Sequence, residues 1–331
     1  MHGVKRVRQS QEVSEARKKR EQAKITEYLI LAEDVLTRKK NKDYSKEALG
    51  LTTRLLEENV EFYTIWNYRR TILLDGIFPS STPAEINEIL LEDLSMTTAF
   101  LKMHPKIYWI WNHRRWCLQN LPDGPGESGD DLIGWRKASW NKELSVVEKM
   151  LEADARNFHA WGYRRYILAS MPIPRPETSE LAYTTKKIES SFSNFSAWHQ
   201  RSKVLSSLWA KGTLDEEQSK ETEYDLVKNA IFTDPGDQSA WIYHRWLVGT
   251  GKDKELLKRE IAVIQELLNE QPDSKWCMDS LVHYKRLLLP AVPPEEKESL
   301  ISDCVRLLAE LRATDPGRRR RYDEIECELT Q

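Results

Sequence analysis

A tryptophan followed at +3 and +4 by basic side chains recurs along this chain, and that recurrence limits the folds open to it more than any other feature. Aligned on the indole, the copies read NVEFYTIWNYRR at Trp66, HPKIYWIWNHRR at Trp111, DARNFHAWGYRR at Trp161, FSNFSAWHQRS at Trp198 and DPGDQSAWIYHR at Trp241. A sixth, QPDSKWCMDS at Trp276, keeps the lead-in and the Trp but loses the basic pair. The stretch ATDPGR, ending at Arg318, keeps the lead-in alone. Successive anchors lie 45, 50, 37, 43 and 35 residues apart, the length of two helices with their turns. Each unit is therefore expected to be a helical hairpin, and terminal copies decay because one face has no neighbour to cover.

Local patterning agrees. In ELSVVEKMLEAD, Leu144, Val147, Met150 and Leu151 recur at helical spacing and share a face. The Trp-bearing segment supplies the second helix, with Ile167 and Leu168 extending the apolar side that begins at Trp161. In STPAE, Thr82 stands at an N-cap, Pro83 at the first helical position and Glu85 at the third; Thr213 with Glu216 predicts the same capping box. The clusters PDGPGESGD, PIPRP and PAVPP break helices between units. Residues 1–40 are expected to form a basic N-terminal segment and lead-in helix, charged over 11–40, and residues 41–331 a single helical-repeat domain. The fold class is all-α, with about seven hairpins.

Composition excludes several functions. With a formal net charge of −2, no whole-molecule field attracts a phosphate polymer, so no nucleic-acid partner is expected despite the local arginines. The four cysteines, Cys117, Cys277, Cys304 and Cys327, are scattered without a C-x-x-C, which fits a reducing, cytoplasmic setting and no cysteine-based zinc site. No stretch approaches the roughly 18 apolar residues of a membrane span. No phosphate-binding glycine loop, nucleophile elbow or H-E-x-x-H motif is present, so the chain is not expected to run a reaction alone.

Trp66, Trp111, Trp161, Trp198 and Trp241 are expected to fill the core between helices. Arg69, Arg114, Arg164, Arg201 and Arg245 have two readings: pairing with acids or helix-end carbonyls of neighbouring repeats, or lining a partner surface.

The W-x-x-R-R units with the lead-ins PKIYWIW and DARNFHAW closely resemble the alpha subunits of protein prenyltransferases, over roughly residues 45 to 320. The resemblance implies a right-handed alpha-alpha superhelix, a crescent that wraps a separate beta subunit. It also implies that the beta subunit carries Zn2+ and the isoprenoid pocket, so that this chain holds no metal or cofactor of its own and is inactive by itself. On the same footing, Lys106 matches the lysine of the P-K-x-Y lead-in that reaches toward the isoprenoid diphosphate in the partner's cavity, and Tyr108 the tyrosine beside it. Asn157 and His159 match flanking positions. Phe158 stands where the farnesyl-transferring members carry a tyrosine, which removes a phenol from that edge.

Members that read a C-terminal CaaX box carry a Gln two residues before the Trp of the second unit; here that residue is Trp109, and an indole cannot replace the amide's hydrogen bonds. The opening Met1-His2-Gly3, followed by basic residues, is similar to the start of the Rab geranylgeranyltransferase alpha subunits, in a compact form without immunoglobulin-like or leucine-rich-repeat domains. That branch implies a Rab escort protein, a Rab GTPase and geranylgeranyl diphosphate as partners. It also suggests that His2 gates the partner's zinc. Two other readings stay open at this stage: the alpha subunit shared by farnesyltransferase and type I geranylgeranyltransferase, and a noncatalytic helical-repeat scaffold.

Overall fold

The computed structural model describes residues 11–126 and 131–331, and among them it holds fifteen α-helices and no strand. Helix α1 (Gln11–Lys40) leads in. Seven hairpins follow. They are α2 (Lys46–Glu58) with α3 (Tyr63–Thr71), α4 (Pro83–Met103) with α5 (Tyr108–Asn120), and α6 (Gly134–Ala153) with α7 (Phe158–Ser170). Then come α8 (Glu177–Ser190) with α9 (Phe195–Ala210), α10 (Glu216–Thr233) with α11 (Gln238–Val248), α12 (Lys254–Glu270) with α13 (Lys275–Leu288), and α14 (Pro294–Thr314) with α15 (Arg319–Thr330). The chain divides at Pro174/Arg175, within the PIPRP loop, into two compact units. The first holds α1 to α7 and the second α8 to α15.

Each of the first five hairpins is closed by its indole. The ring N–H of Trp66 donates to the Val60 carbonyl (2.8 Å), that of Trp111 to Pro105 (3.0 Å), and that of Trp161 to Ala155 (2.9 Å). In the second unit Trp198 donates to Phe192 (2.7 Å) and Trp241 to Pro235 (3.0 Å). In every case the acceptor lies six residues upstream, in the turn that joins the two helices. A buried indole therefore both fills the core and satisfies a turn carbonyl that would otherwise be left unpaired.

Helix starts follow local chemistry. Thr82 accepts from the Glu85 N–H while the Glu85 carboxylate takes the Thr82 N–H at 2.7 Å, a complete capping box. The box expected at Thr213 and Glu216 does not form. Asp215 caps α10 instead, accepting from the Gln218 N–H at 2.7 Å, and the Thr213 hydroxyl donates back to the Leu208 carbonyl at the end of α9. A carboxylate directly before the first turn outcompetes a hydroxyl two residues further away, because it meets the helix N-terminus with full charge.

Helix α3 runs on into a π-turn, Ile72–Ile77, packed beside Tyr44. A Cβ at Gly76 would stand 2.4 Å from the Tyr44 Cβ and 2.5 Å from its carbonyl oxygen, so only glycine permits that approach.

Candidate functional site

The seams between hairpins come first, because they hold the loops that carry the candidate residues. Arg69 clasps Asp93 of the next hairpin with two hydrogen bonds, from Nε at 2.9 Å and Nη2 at 2.5 Å. Its third nitrogen, Nη1, donates to Thr52 Oγ1 (2.9 Å), Thr53 Oγ1 (2.8 Å) and the Leu49 carbonyl (3.2 Å) of its own hairpin. Arg114 repeats this on Glu143 (3.0 and 2.6 Å) with Thr97, Thr98 and the Leu94 carbonyl. Arg201 repeats it on Glu223 (both 2.6 Å) with Thr184, Thr185 and the Leu181 carbonyl. Each acid is held from its other side by the +2 residue of its own hairpin. His113 lies 2.7 Å from Asp93, Tyr163 donates to Glu143 at 2.7 Å, and Tyr243 donates to Glu223 at 2.5 Å.

The arginines at these +3 positions are thus buried between hairpins and present no guanidinium face. Arg164, also buried, reaches Glu148 at 3.1 Å. In the fifth hairpin His244 takes the +3 place, 2.8 Å from Glu260 and 2.6 Å from Tyr284 Oη, and Arg245 turns to Asp279.

Sequence reasoning missed the acids. Asp93, Glu143, Glu180 and Glu223 each stand 18 residues before the Trp of their own hairpin, and the pattern L-x-x-T-T recurs at 49–53, 94–98 and 181–185. Those two regularities were the available signal.

Asp93, His113 and Cys117 bring three ligand-type atoms within 4.8 Å of one another, all buried. Their donor set is already spent. Both Asp93 oxygens accept from Arg69, one of them also meets His113, and Arg70 Nε donates to His113 Nδ1 at 3.3 Å. Burial pushes the Cys117 thiol well up, away from the thiolate a metal needs. The cluster does not fit a metal ion and serves the seam.

The exposed chemistry gathers at one edge of the first unit, where the turns enter α5 and α7. The Pro105 carbonyl accepts from the Trp111 ring N–H and, at 3.1 Å, from Asn157 Nδ2 of the next hairpin. Asn157 is itself buried and caps α7, accepting from the His159 and Ala160 N–H groups. The backbone before Lys106 is therefore pinned twice, while its side chain stays exposed, 3.1 Å from Asp154 Oδ2. The Lys106 ammonium holds the Asp154 carboxyl below the usual carboxylate range. Tyr108 is exposed and stands edge-on to His159, with ring centroids 4.3 Å apart. Phe158 stacks on the same imidazole at 3.9 Å. Burial, with help from Lys106, lowers the His159 pKa and favours its neutral form.

The structure thus brings Lys106, Tyr108, Asn157 and His159 together: one exposed ammonium, one exposed phenol, and an amide and imidazole that position them. Trp109 is half-buried, its ring 5.4 Å from that of Tyr63. His2 lies outside the described residues.

The protein prenyltransferase alpha subunit repeat matches at residues 45–75, 90–121, 140–171, 178–208 and 220–250, which are the first five hairpins. The geranylgeranyl transferase type-2 subunit alpha of Schizosaccharomyces pombe is 39% identical, with 98% of both chains covered. The protein of the same description from Dictyostelium discoideum is 35% identical, covering 99% of this chain and all of its own. This chain belongs to the type-2 branch of the protein prenyltransferase alpha subunits. The fold is shared with a solved Candida albicans protein geranylgeranyltransferase-I complexed with GGPP, at TM-score 0.70, 21% identity, and 92% and 91% of the two chains covered. As a prenyltransferase alpha subunit it works beside a beta subunit.

Proposed function

We propose that this chain is the alpha half of a Rab geranylgeranyltransferase. With its beta subunit it transfers geranylgeranyl from the diphosphate to C-terminal cysteines of Rab GTPases presented by an escort protein, in the cytoplasm, and it is inactive alone. The name carried by the relatives supports the geranylgeranyl assignment. Trp109, packed on Tyr63 where CaaX-reading members carry an amide, argues against CaaX substrates.

The reaction joins the cysteine sulfur to isoprenoid C1 as the C1–oxygen bond breaks and diphosphate departs. Zinc on the beta subunit supplies the substrate cysteine as a thiolate. The residues of this chain handle the leaving group. The observation that carries the assignment is Lys106 itself, an exposed ammonium on a doubly pinned turn, held only by a surface ion pair. Such a pair is worth roughly 0–1 kcal/mol, so an oxyanion of higher charge displaces Asp154 at little cost. The ammonium then neutralises the charge that develops on the diphosphate, without a reorganisation of the backbone. Tyr108 offers its phenol O–H to the same oxygens, and neutral His159 keeps the Tyr108 ring in place without adding a second charge. The exposed aromatics that open the second helices of the first unit, Tyr63, Tyr108 and Phe158, suit contact with the beta subunit.

Lys106→Ala in the co-expressed heterodimer is expected to lower the single-turnover transfer rate by about 10²-fold while assembly persists, since one preorganised charge contact is lost. An unchanged rate would remove the assigned role. No transfer to a Rab substrate with escort, alongside transfer to a CaaX peptide, would overturn the substrate assignment.

A further inference from the structure

The basic run Arg318 to Arg321 finds its place in the second unit, at the end of the chain away from Lys106. Arg318 and Arg321 meet Arg245 around a cavity of about 180 Å³ whose floor is the rings of Trp241 and Trp276, with Gln238 and Ile242 at its side. Two departures from the repeat create it. In the sixth hairpin the +3 residue is an acid, Asp279, instead of arginine, and it draws Arg245 (2.5 Å) from the fifth hairpin and Arg321 (3.6 Å) from α15. The +5 residue, aromatic in the second and third hairpins, is Leu281 here, so Arg245 has no ring to lie on. Arg318 lies over the Trp276 ring at 4.8 Å, with Asp315 at 3.6 Å and Lys275 on the far side of that carboxylate at 3.9 Å.

Four cations, Arg245, Lys275, Arg318 and Arg321, thus share two carboxylates, Asp279 and Asp315, and both carboxylates are nearly buried. The cluster therefore holds an excess of positive charge. Its field is registered by His283 beside the site, whose pKa is pushed down to about 4 by burial and by Arg245, Arg286 and Arg321 against the pull of Asp279. Planar guanidinium forks converging on a small space suit the tetrahedral oxygens of phosphate, and the cavity is smaller than the roughly 300 Å³ at which sites for drug-sized ligands begin.

We propose that Arg245, Arg318 and Arg321 form a binding site for a small phosphate-type dianion of about diphosphate size, separate from the Lys106 edge.

Calorimetric titration of the full chain with inorganic pyrophosphate at fixed ionic strength tests this, with acetate as the singly charged control. Saturable binding of one pyrophosphate per chain is expected. Arg318→Gln combined with Arg321→Gln should weaken it at least tenfold, and Lys106→Ala should leave it unchanged. No saturable heat, an equal response to acetate, or unaltered affinity in the double variant would overturn the site. Loss of binding in Lys106→Ala would overturn the separation. Should the double variant lose its helical circular dichroism, the exposed Gln238→Glu decides instead: weakened binding supports the site and unaltered binding refutes it. Co-sedimentation with phosphoinositide vesicles distinguishes the sources. Sedimentation abolished by the double variant assigns the site to a lipid headgroup, whereas pyrophosphate binding without sedimentation assigns it to a soluble anion.

Discussion

Arg114 carries more of the fold than any exposed charge. Its guanidinium makes five hydrogen bonds in a seam closed to water, two of them to Glu143. Replacing a buried ion pair outright can be neutral, but removing one partner strands the other. Arg114→Ala should therefore cost about 3–5 kcal/mol, read as a lowered urea midpoint, because Glu143 keeps only Tyr163. Arg114→Lys should recover part of that loss, since an ammonium restores the charge but not the fork. The tryptophans and arginines were legible in the sequence because they stand close together in one helix. Their acids were not, because they sit on the first helix of the next hairpin among many other charged residues, and a lone Asp or Glu there reads as solvated surface. The variable spacing between anchors also hid them. The variation lies upstream of the acids, in the length of each first helix and in the loop before it, so only a count backward from each Trp reveals the constant offset.

At the scale of the element, the cap was legible at Thr82, where Pro83 at the first helical position and Glu85 at the third single out one residue. It was not legible at Thr213, where two eligible side chains compete within three residues and only the folded turn chooses between them. The π-turn at Ile72–Ile77 had no local sign, since the contact that accommodates it comes from Tyr44, outside the hairpin that bears it. Gly76→Ala is expected to cost about 1–3 kcal/mol, because Tyr44 must move to admit the methyl group. Thermal melting checks it, and Tyr44→Ala in the same background should not relieve the loss, because alanine keeps the Cβ and the carbonyl that crowd the new methyl group. No loss in the single variant would mean that the turn repacks freely.

For the whole molecule, the Trp-anchored repeat and its helical apolar faces predicted an all-α repeat protein, whereas the division at Pro174 had no compositional mark that set the PIPRP loop apart from the other breakers. Acid stability is set by groups the seams bury. Burial and the nearby Arg69 and Arg70, against the pull of Asp93, hold the His113 pKa down at about 4, and the bonds from Arg69 and His113 keep the Asp93 carboxylate ionised despite its burial. Between about 6.5 and 4 the unfolded imidazole binds a proton that the folded one refuses, so stability is fully present above pH 6.5 and declines as pH falls. The loss from His113 alone reaches on the order of 3 kcal/mol by pH 4. Urea midpoints at pH 7, 5.5 and 4.5 should show it as about that fall, and His113→Gln should flatten the profile; an equal slope in both proteins would place the acid sensitivity elsewhere.

Within each unit the clasps point one way along the chain. An arginine reaches forward to an acid that its successor supplies, the first hairpin carries buried Ala48 where the second to fifth carry the acid, and the sixth carries Asp279 where the first four carry the arginine. A copy of the second hairpin spliced in after itself would offer the acid its predecessor seeks and seek the acid its successor offers, so growth by internal duplication is electrostatically free.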